Sequence, residues 1–302
     1  MNELFDKLIL RIIFTFFICL MLYLYKYIHV IIFPSTKSQF LSKINPTKNS
    51  ADTIFFFGRL IGLAILFSEF HFSLDEGILI ALSDFVIKAS LGFVIYLASL
   101  YVIESIVLYN FEYQDEIVKR KNMSYALIGL AHSIGTAFIL KTVLDVASSS
   151  LVMLIFLWFF SLVLIGFATK TFTILSKLPF NLLLIQKNNS IAISYFCFFL
   201  GWSMIIASSL NNQLLELKWY AIQVILKILL SIIILPIFMK GIKIIFNLED
   251  DLDKKKGILT GKELAQIDVG YGIYEGATFF TACFLTIVIT GRVYFGTFYP
   301  TF

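Results

Sequence analysis

Apolar runs of about 20 residues recur along the whole chain, and they restrict its fold more than any other feature. A helix of about 20 apolar residues crosses the roughly 30 Å hydrocarbon layer of a membrane. Charged residues make up only 15% of the chain, whereas a soluble domain carries roughly a quarter. The sequence therefore predicts an all-α polytopic membrane protein with spans at about 12–33, 53–70, 77–111, 123–144, 151–175, 190–210, 219–246 and 269–294.

A second pattern repeats inside these runs. Each copy begins with Asn or Asp and continues with small or hydroxyl residues, and a glycine follows about thirteen positions later, except in the last copy, where Thr281 replaces it. A long apolar run and a polar elbow precede every copy. Two spans and the elbow between them therefore form one unit. The chain is predicted to contain eight transmembrane helices as four tandem helical hairpins with short amphipathic elbows.

The residue that begins each copy is a predicted helix cap. Asn and Asp side chains accept hydrogen bonds from the N–H groups of the first helical turn. Lipid offers these groups no other partner, so a cap is needed where a helix re-enters the membrane. The predicted caps are Asn49, Asn122, Asn188 and Asp268.

The second helix of each hairpin is rich in small residues at GxxxG-like spacing, which lets helix backbones approach closely. We predict tight packing inside the bundle at these glycines, with an oligomer interface or a pore wall as the alternative. The first helices are dominated by Leu, Ile and Phe and are expected to face lipid. The predicted packing glycines are Gly58, Gly62, Gly129, Gly135, Gly201, Gly272 and Gly276.

Lysine and arginine are concentrated in the four elbows, which predicts cytoplasmic elbows and both termini outside. The opposite side carries mainly Lys7, Arg11, Lys141, Lys218 and Arg292. The elbow lysines are predicted positive-inside anchors, and they are also suited to hold anionic lipid head groups. The elbow residues are Lys37, Lys43, Lys48, Lys119, Arg120, Lys121, Lys177, Lys187, Lys254, Lys255, Lys256 and Lys262.

The segment EIVKRKNMSYALIGLAHSIG, at 116–135, follows a long apolar helix. It resembles the repeat of the YjfL-like family of bacterial inner-membrane proteins, a domain of unknown function (DUF350) with four spans per domain. The chain resembles two such domains in tandem, at 1–145 and 146–302, each made of two hairpins. The fourth copy departs most from the pattern, because it has Asp268 in place of Asn. The resemblance implies a bacterial inner-membrane location and brings no known activity, so it assigns no catalytic residue.

The candidate ionisable residues inside the predicted spans are Arg59, Asp84, Lys88, His132, Lys227 and Glu275. A charge at the centre of a span costs roughly 2.5–3.5 kcal/mol, so such residues normally face the bundle or water. In one interpretation they are buried pairs, Arg59 with Glu275 and Asp84 with Lys88 or Lys227, and His132 is hydrogen-bonded to a neighbour. In the other, they line a polar path on which His132 or Glu275 exchanges protons or binds a cation.

The sequence contains no pattern typical of an enzyme. His29, His71 and His132 lack metal-ligand spacing, and neither a glycine-rich phosphate loop nor a serine nucleophile motif is present. We expect no catalytic residue, no cofactor and no metal. Nucleic acid is not an expected partner, because the net charge of +4 is scattered over membrane-flanking loops.

Two hypotheses for the function remain. The first is a channel- or transporter-like path for an ion or small cation, lined by the small-residue helices. The second is a non-enzymatic scaffold for envelope integrity that docks a cytoplasmic partner on its basic elbows. Lipid is the expected partner in both, and a homo-oligomer is compatible with both. The hairpins all begin on the same side, so the repeats are parallel, unlike those of inverted-repeat transporters.

Overall fold

The computed structural model describes residues 2–34, 37, 46–70, 77–147, 150–212, 216–248, 267–291 and 293. The helices, in chain order, are α1 (Asn2–Ile32), α2 (Ser50–Phe67), α3 (Ile78–Val107), the π-helix π1 (Gln114–Lys119), α4 (Met123–Val146), α5 (Leu151–Leu175), α6 (Phe180–Ile185), α7 (Asn189–Leu210), α8 (Leu217–Ile245) and α9 (Val269–Thr290).

Eight of the described helices are long and apolar enough to cross a membrane. They coincide with the eight predicted spans, which confirms the all-α polytopic membrane fold. The bounds of α5 are those predicted, and α1 begins about ten residues earlier than the apolar run. Lys7 and Arg11 lie in this added segment. The helix can continue here because charged residues at its end can reach water or lipid head groups outside the hydrocarbon layer.

The long helices form two layers. The second helices of the hairpins make a row in chain order, in which α2 packs on α4, α4 on α7 and α7 on α9. The first helices cover this row, with α3 against α4, α5 against α7, and α8 against α9. In the second helices 39–67% of the most apolar segment is buried, compared with 17–33% in the first helices. The small-residue helices therefore form the interior, and the Leu- and Ile-rich helices form the surface available to lipid.

The predicted packing glycines lie at the contacts within this row. At Gly62 a Cβ atom would collide with the Tyr96 hydroxyl and would lie 2.7 Å from the carbonyl oxygen of Ser133. At Gly272 it would collide with the backbone carbonyl of Ser190. The helix axes can come this close only because no side chain stands between them. The other contacts join Gly58 to Leu130, Gly129 to Phe55, Gly135 to Phe199, Gly201 to Cys283, and Gly276 to Cys197.

All four predicted caps receive the N–H groups of their helices. The side chain of Asn49 accepts from the backbone N–H of Asp52 at 3.2 Å, and that of Asp268 accepts from Gly270 at 2.6 Å. Asn122 accepts from Ser124 and Tyr125, and Asn188 accepts from Ser190. Each re-entering helix thus begins with at least one N–H group of its first turn bound to the side chain of its cap.

The three asparagines also join each hairpin to the next. The amide nitrogen of Asn49 donates to the carbonyl of Ile117 at 2.8 Å, that of Asn122 to Leu184 at 3.0 Å, and that of Asn188 to Ile267 at 3.1 Å. Asn can accept and donate at once, whereas an ionised Asp only accepts. The fourth copy differs in this respect, because Asp268 accepts from the N–H of Gly270 but its carboxylate, when ionised, cannot donate to a carbonyl as the three asparagines do.

Two lysines each bind the elbow that precedes their own along the chain. Lys121 donates to the carbonyl of Lys48 at 3.1 Å, and Lys187 donates to that of Arg120 at 2.6 Å. Both lysines have a left-handed backbone, with φ of 52° and 57°. The elbow at 249–266 lies outside the described residues, as do Lys43 and Arg292.

The predicted division at residue 145 lies in the link between α4 and α5. The hydrophobic interior continues across this link, since one cluster of buried residues draws on all eight long helices. The helices α4 and α7 pack on each other as α2 and α4 do. The division into two four-helix domains stays a prediction, and the two halves share one interior.

Candidate polar site on the elbow side

A buried ion pair joins α2 and α3 on the side of the membrane where the elbows lie. The Nη2 atom of Arg59 is 2.7 Å from Oε2 of Glu104, and the two side chains are 4% and 12% exposed. Arg59 lies ten residues after its cap, or about 15 Å along the helix. In a low-dielectric interior each charge depends on the other, because an unpaired buried charge is strongly unfavourable.

Aromatic rings surround the Arg59 guanidinium. Its central carbon lies 4.5 Å from the ring centroid of Phe55 and 5.2 Å from that of Phe33. Such cation–π contacts stabilise a cation more strongly when it is shielded from water. Phe33 follows α1, so this contact brings the first helix of the chain to the ion pair.

The pair lines a cavity of about 370 Å³ that is open to one side. Tyr113 and Tyr125 line the same cavity, together with apolar residues from the ends of α1 and α3. Nε of Arg59 and Oε1 of Glu104 have no hydrogen-bond partner among the described residues. A cavity of this size has room for several water molecules or a small ligand beside both charges.

A second polar network lies next to the pair. The Tyr113 hydroxyl donates to Oδ1 of Asp52 and lies 3.5 Å from Nε2 of His29. Nδ1 of His29 is 3.4 Å from the hydroxyl of Tyr25. Burial raises the pKa of Tyr113 far above its ordinary value, and the Asp52 carboxylate raises it further. Tyr113 therefore remains a protonated donor that fixes the Asp52 carboxylate.

Carboxylates outnumber cations in this cluster. Asp52 and Glu104 are both shielded from solvent, and Arg59 supplies one guanidinium. Asp52 forms no ion pair with any described residue, and its carboxylate accepts a hydrogen bond from the neutral hydroxyl of Tyr113. We call Asp52, Arg59, Glu104 and Tyr113 the elbow-side cluster. With both carboxylates ionised, it carries an excess negative charge that a proton or a cation would neutralise.

The comparison with protein families identifies the part of the chain that contains this cluster. The model of the Domain of Unknown Function (DUF350) matches residues 3–144. Residues 3–144 are a DUF350 domain. The resemblance inferred from the second elbow is thereby confirmed for the first half of the chain. No curated protein and no solved structure matches the chain.

Glu275 of α9, a partly buried carboxylate, lies outside the DUF350 domain. This residue accepts hydrogen bonds from the hydroxyls of Ser176, at 2.8 Å, and Ser194, and from the backbone N–H of Lys177 at 3.0 Å. The predicted pair between Arg59 and Glu275 is therefore wrong. The helices α2 and α9 stand at opposite ends of the row, so each charge finds a partner in its own neighbourhood.

His132 lies in the interior of the DUF350 domain, on the face of α4 that meets α7. Its Nε2 is 2.9 Å from the hydroxyl of Tyr195, and its ring packs against Phe199. Nδ1 of His132 has no partner among the described residues. The hydrogen bond across the α4–α7 contact connects the DUF350 domain to the second half of the chain.

The three predicted residues of the opposite side do not form one layer. Asp84 and Lys88 pair at 2.8 Å on α3, but their side chains are 54% and 40% exposed. Lys227 is buried in α8 and donates to Oδ1 of Asn212 at 2.6 Å. The predicted burial of the Asp84–Lys88 pair is wrong, as is the alternative pair of Asp84 with Lys227. The reason is that α3 packs on α4 and α5, whereas α8 packs on α7 and α9.

The sequence analysis missed Glu104, Asp52 and Tyr113. Glu104 is an acidic residue inside the predicted span 77–111, so a search for charges opposite in sign to Arg59 within the same domain would have found it. Asp52 lies one residue before the predicted span 53–70, so a search for charges inside the spans does not include it. Tyr113 gives no sequence signal, because its role depends on how the elbow folds over α2.

Proposed function

We propose that the protein moves a proton or a small cation through the membrane, and that the elbow-side cluster is its binding site. The observation that supports the proposal is a cavity of about 370 Å³ lined by Arg59, Glu104 and Tyr113, with the buried carboxylate of Asp52 hydrogen-bonded to the Tyr113 hydroxyl. Ionisable residues at membrane depth commonly mark ion pathways and proton relays. The elbow side is predicted to be cytoplasmic, so the cluster would exchange its ion with the cytoplasm.

Electrostatics favour a cation over an anion at this site. The attraction between unit charges grows several-fold when water is replaced by a protein interior. Arg59 already neutralises Glu104, so the charge left for a ligand is that of Asp52. Asp52 does not itself line the cavity, but its hydrogen-bond donor Tyr113 does, so Tyr113 connects this carboxylate to the cavity.

Buried hydroxyls continue inward from the cluster along α4. Ser133 and Thr136 are fully buried, at roughly 16 and 21 Å along the helix from Asn122. The Thr136 hydroxyl has no partner among the described residues. Hydroxyl groups can accept and donate in turn, which suits the transfer of a proton beyond the reach of the cavity.

The test is ion flux into liposomes that contain the purified protein, with protons, potassium and a polyamine offered separately. Asp52→Asn removes the uncompensated charge and keeps an acceptor for Tyr113. We expect at least about a tenfold loss of flux for this variant. Asp84→Asn is the matched control, since it makes the same change at an exposed position, and it should leave flux unchanged. Wild-type protein that passes none of these ions, or equal effects of the two variants, would overturn the proposal.

The alternative function is a scaffold that docks a cytoplasmic partner. It is favoured by the ordered basic surface of the elbows, where Lys121 and Lys187 are held by backbone carbonyls and Lys119 is 64% exposed. A scaffold predicts no flux for any ion. It also predicts that Lys119→Gln weakens binding of the partner while Asp52→Asn does not.

A further inference from the structure

A cleft opens between the outer helices α5 and α8, in the second half of the chain. Its volume is about 340 Å³, and its walls are residues of α5 and α8 such as Thr171 and Met239. Trp202 of α7 lies between these walls. The corresponding outer helices α3 and α5 pack on each other, so the separation between α5 and α8 is a local feature.

Pro236 provides a physical reason for the separation. It lies inside α8 and lines the cleft together with Ile232, the residue four positions earlier. A proline inside a helix removes the hydrogen bond to that carbonyl, and its ring pushes against the preceding turn. The helix α8 continues through Pro236 to Ile245, so the carbonyl of Ile232 lacks this hydrogen bond on the side of α8 that lines the cleft.

Two lysines stand at the elbow-side end of the cleft. Lys240 and Lys243 both line it and are three positions apart in α8, so they share a face of the helix. Lys240 is exposed, and Nζ of Lys243 lies 5.6 Å from the centroid of the Tyr274 ring. The rest of the lining is almost entirely apolar, so charge is confined to one end of the cleft.

We propose that this cleft binds an anionic phospholipid. The phosphate would lie between Lys240 and Lys243, and an acyl chain would run inward along Pro236 toward Trp202. From Lys243 to Ile232 the helix rises about 16 Å, which gives an acyl chain a long apolar wall. Basic residues beside membrane helices recognise anionic head groups by charge, so the site would select the head group and accept different chains.

The site lies outside the DUF350 domain and shares no residue with the elbow-side cluster. It does not depend on ion transport. A protein without measurable flux would still retain the lipid, and loss of the lipid site would leave the case for the cluster unchanged.

The test is native mass spectrometry of the purified protein, relipidated with phosphatidylglycerol or with phosphatidylcholine of the same acyl chains. We expect the wild type to retain one phosphatidylglycerol in preference to phosphatidylcholine. The double variant Lys240→Gln and Lys243→Gln should weaken phosphatidylglycerol retention at least about tenfold, to the level of phosphatidylcholine. Lys170→Gln is the matched control, because it removes an exposed lysine of α5 that does not line the cleft.

A second variant tests the cleft itself. Ile174 lines the cleft and is 79% exposed, so Ile174→Trp should fold normally while its ring occupies the acyl-chain space. We expect this variant to lose phosphatidylglycerol although both lysines remain. Equal retention of the two lipids by the wild type, or an equal loss in Lys170→Gln and in the double lysine variant, would overturn the proposal. So would normal retention in Ile174→Trp.

Discussion

Glu104 and Glu275 are both shielded glutamates on the elbow side, but they are stabilised by different means. Glu104 forms an ion pair with Arg59 beside a cavity of about 370 Å³. Glu275 accepts hydrogen bonds from two serine hydroxyls and a backbone N–H, and the cavity beside it is only about 20 Å³. The first arrangement combines opposite charges with space, whereas the second combines neutral donors with close packing.

The two arrangements respond differently to the loss of one partner. An ion pair in the membrane requires both members, because removing one leaves a buried charge that costs about 3–5 kcal/mol. Neutral donors are replaceable one at a time, at about 1–3 kcal/mol each. The DUF350 domain therefore keeps fixed charges next to open volume, which is what the proposed ion site requires. Glu275 joins α9 to the end of α5 and to α7, which is the requirement of a packed interface.

The largest expected effect comes from breaking the ion pair. Arg59→Met leaves Glu104 buried without its cation, and we expect a loss of about 3–5 kcal/mol in the free energy of unfolding. The double variant Arg59→Met with Glu104→Met replaces both charges by apolar side chains and should recover most of that loss. Unfolding in mixed micelles with increasing denaturing detergent measures both. A double variant as unstable as the single one would show that the pair is not what stabilises this region.

Steric effects at the glycines come next, and they should be alike in both halves. Gly62→Ala and Gly272→Ala each force a methyl group against a neighbouring backbone carbonyl. Overpacking of this kind costs about 1–3 kcal/mol. Gly166 of α5 has no atom within 4 Å of the position of an added Cβ, so Gly166→Ala is the matched control. It should be neutral or slightly stabilising, since alanine is the better helix former. The same unfolding assay distinguishes these outcomes.

A smaller effect is expected at Glu275. Ser194→Ala removes one of its hydroxyl donors and leaves the Ser176 hydroxyl and the Lys177 N–H. We expect a loss of about 1–2 kcal/mol in the free energy of unfolding, clearly less than for Arg59→Met. Ser83→Ala in α3 is the control, because that hydroxyl donates only to the Ile80 carbonyl on an exposed surface. An effect of Ser194→Ala as large as that of Arg59→Met would remove the distinction between the two carboxylates.

The local features of the fold could be predicted from the sequence, whereas the partners of the charged residues could not. The spans, the caps and the glycine contacts each depend on residues close together in the chain, such as Asn122 with the turn that follows it. The partner of Arg59 depends on how α2 packs against α3. The predicted pair of Arg59 with Glu275 requires the first and last hairpins to be neighbours. In the structure α2 and α9 lie at the two ends of an open row.

The connections between hairpins could not be predicted for a related reason. Asn49, Asn122 and Asn188 donate to backbone carbonyls of the following elbow, and a carbonyl gives no sequence signal because every residue has one. The identity of the side chain did contain a hint. Asp, Ser and Thr also cap helices well, so three asparagines in succession indicate that the amide donor is used as well.

The smallest expected effect tests this use of the amide donor. Asn188→Asp keeps the cap to Ser190 but replaces the amide that donates to Ile267 by an oxygen that faces another acceptor. We expect a loss of about 1 kcal/mol in the free energy of unfolding. Asp268→Asn is the reciprocal control, since it keeps an acceptor for Gly270 and should change stability by less than about 0.5 kcal/mol. Equal effects would mean that the asparagines act as caps alone. A selective loss in Asn188→Asp would show that the order of the hairpins is held at the elbows, independently of the charges that distinguish the two halves.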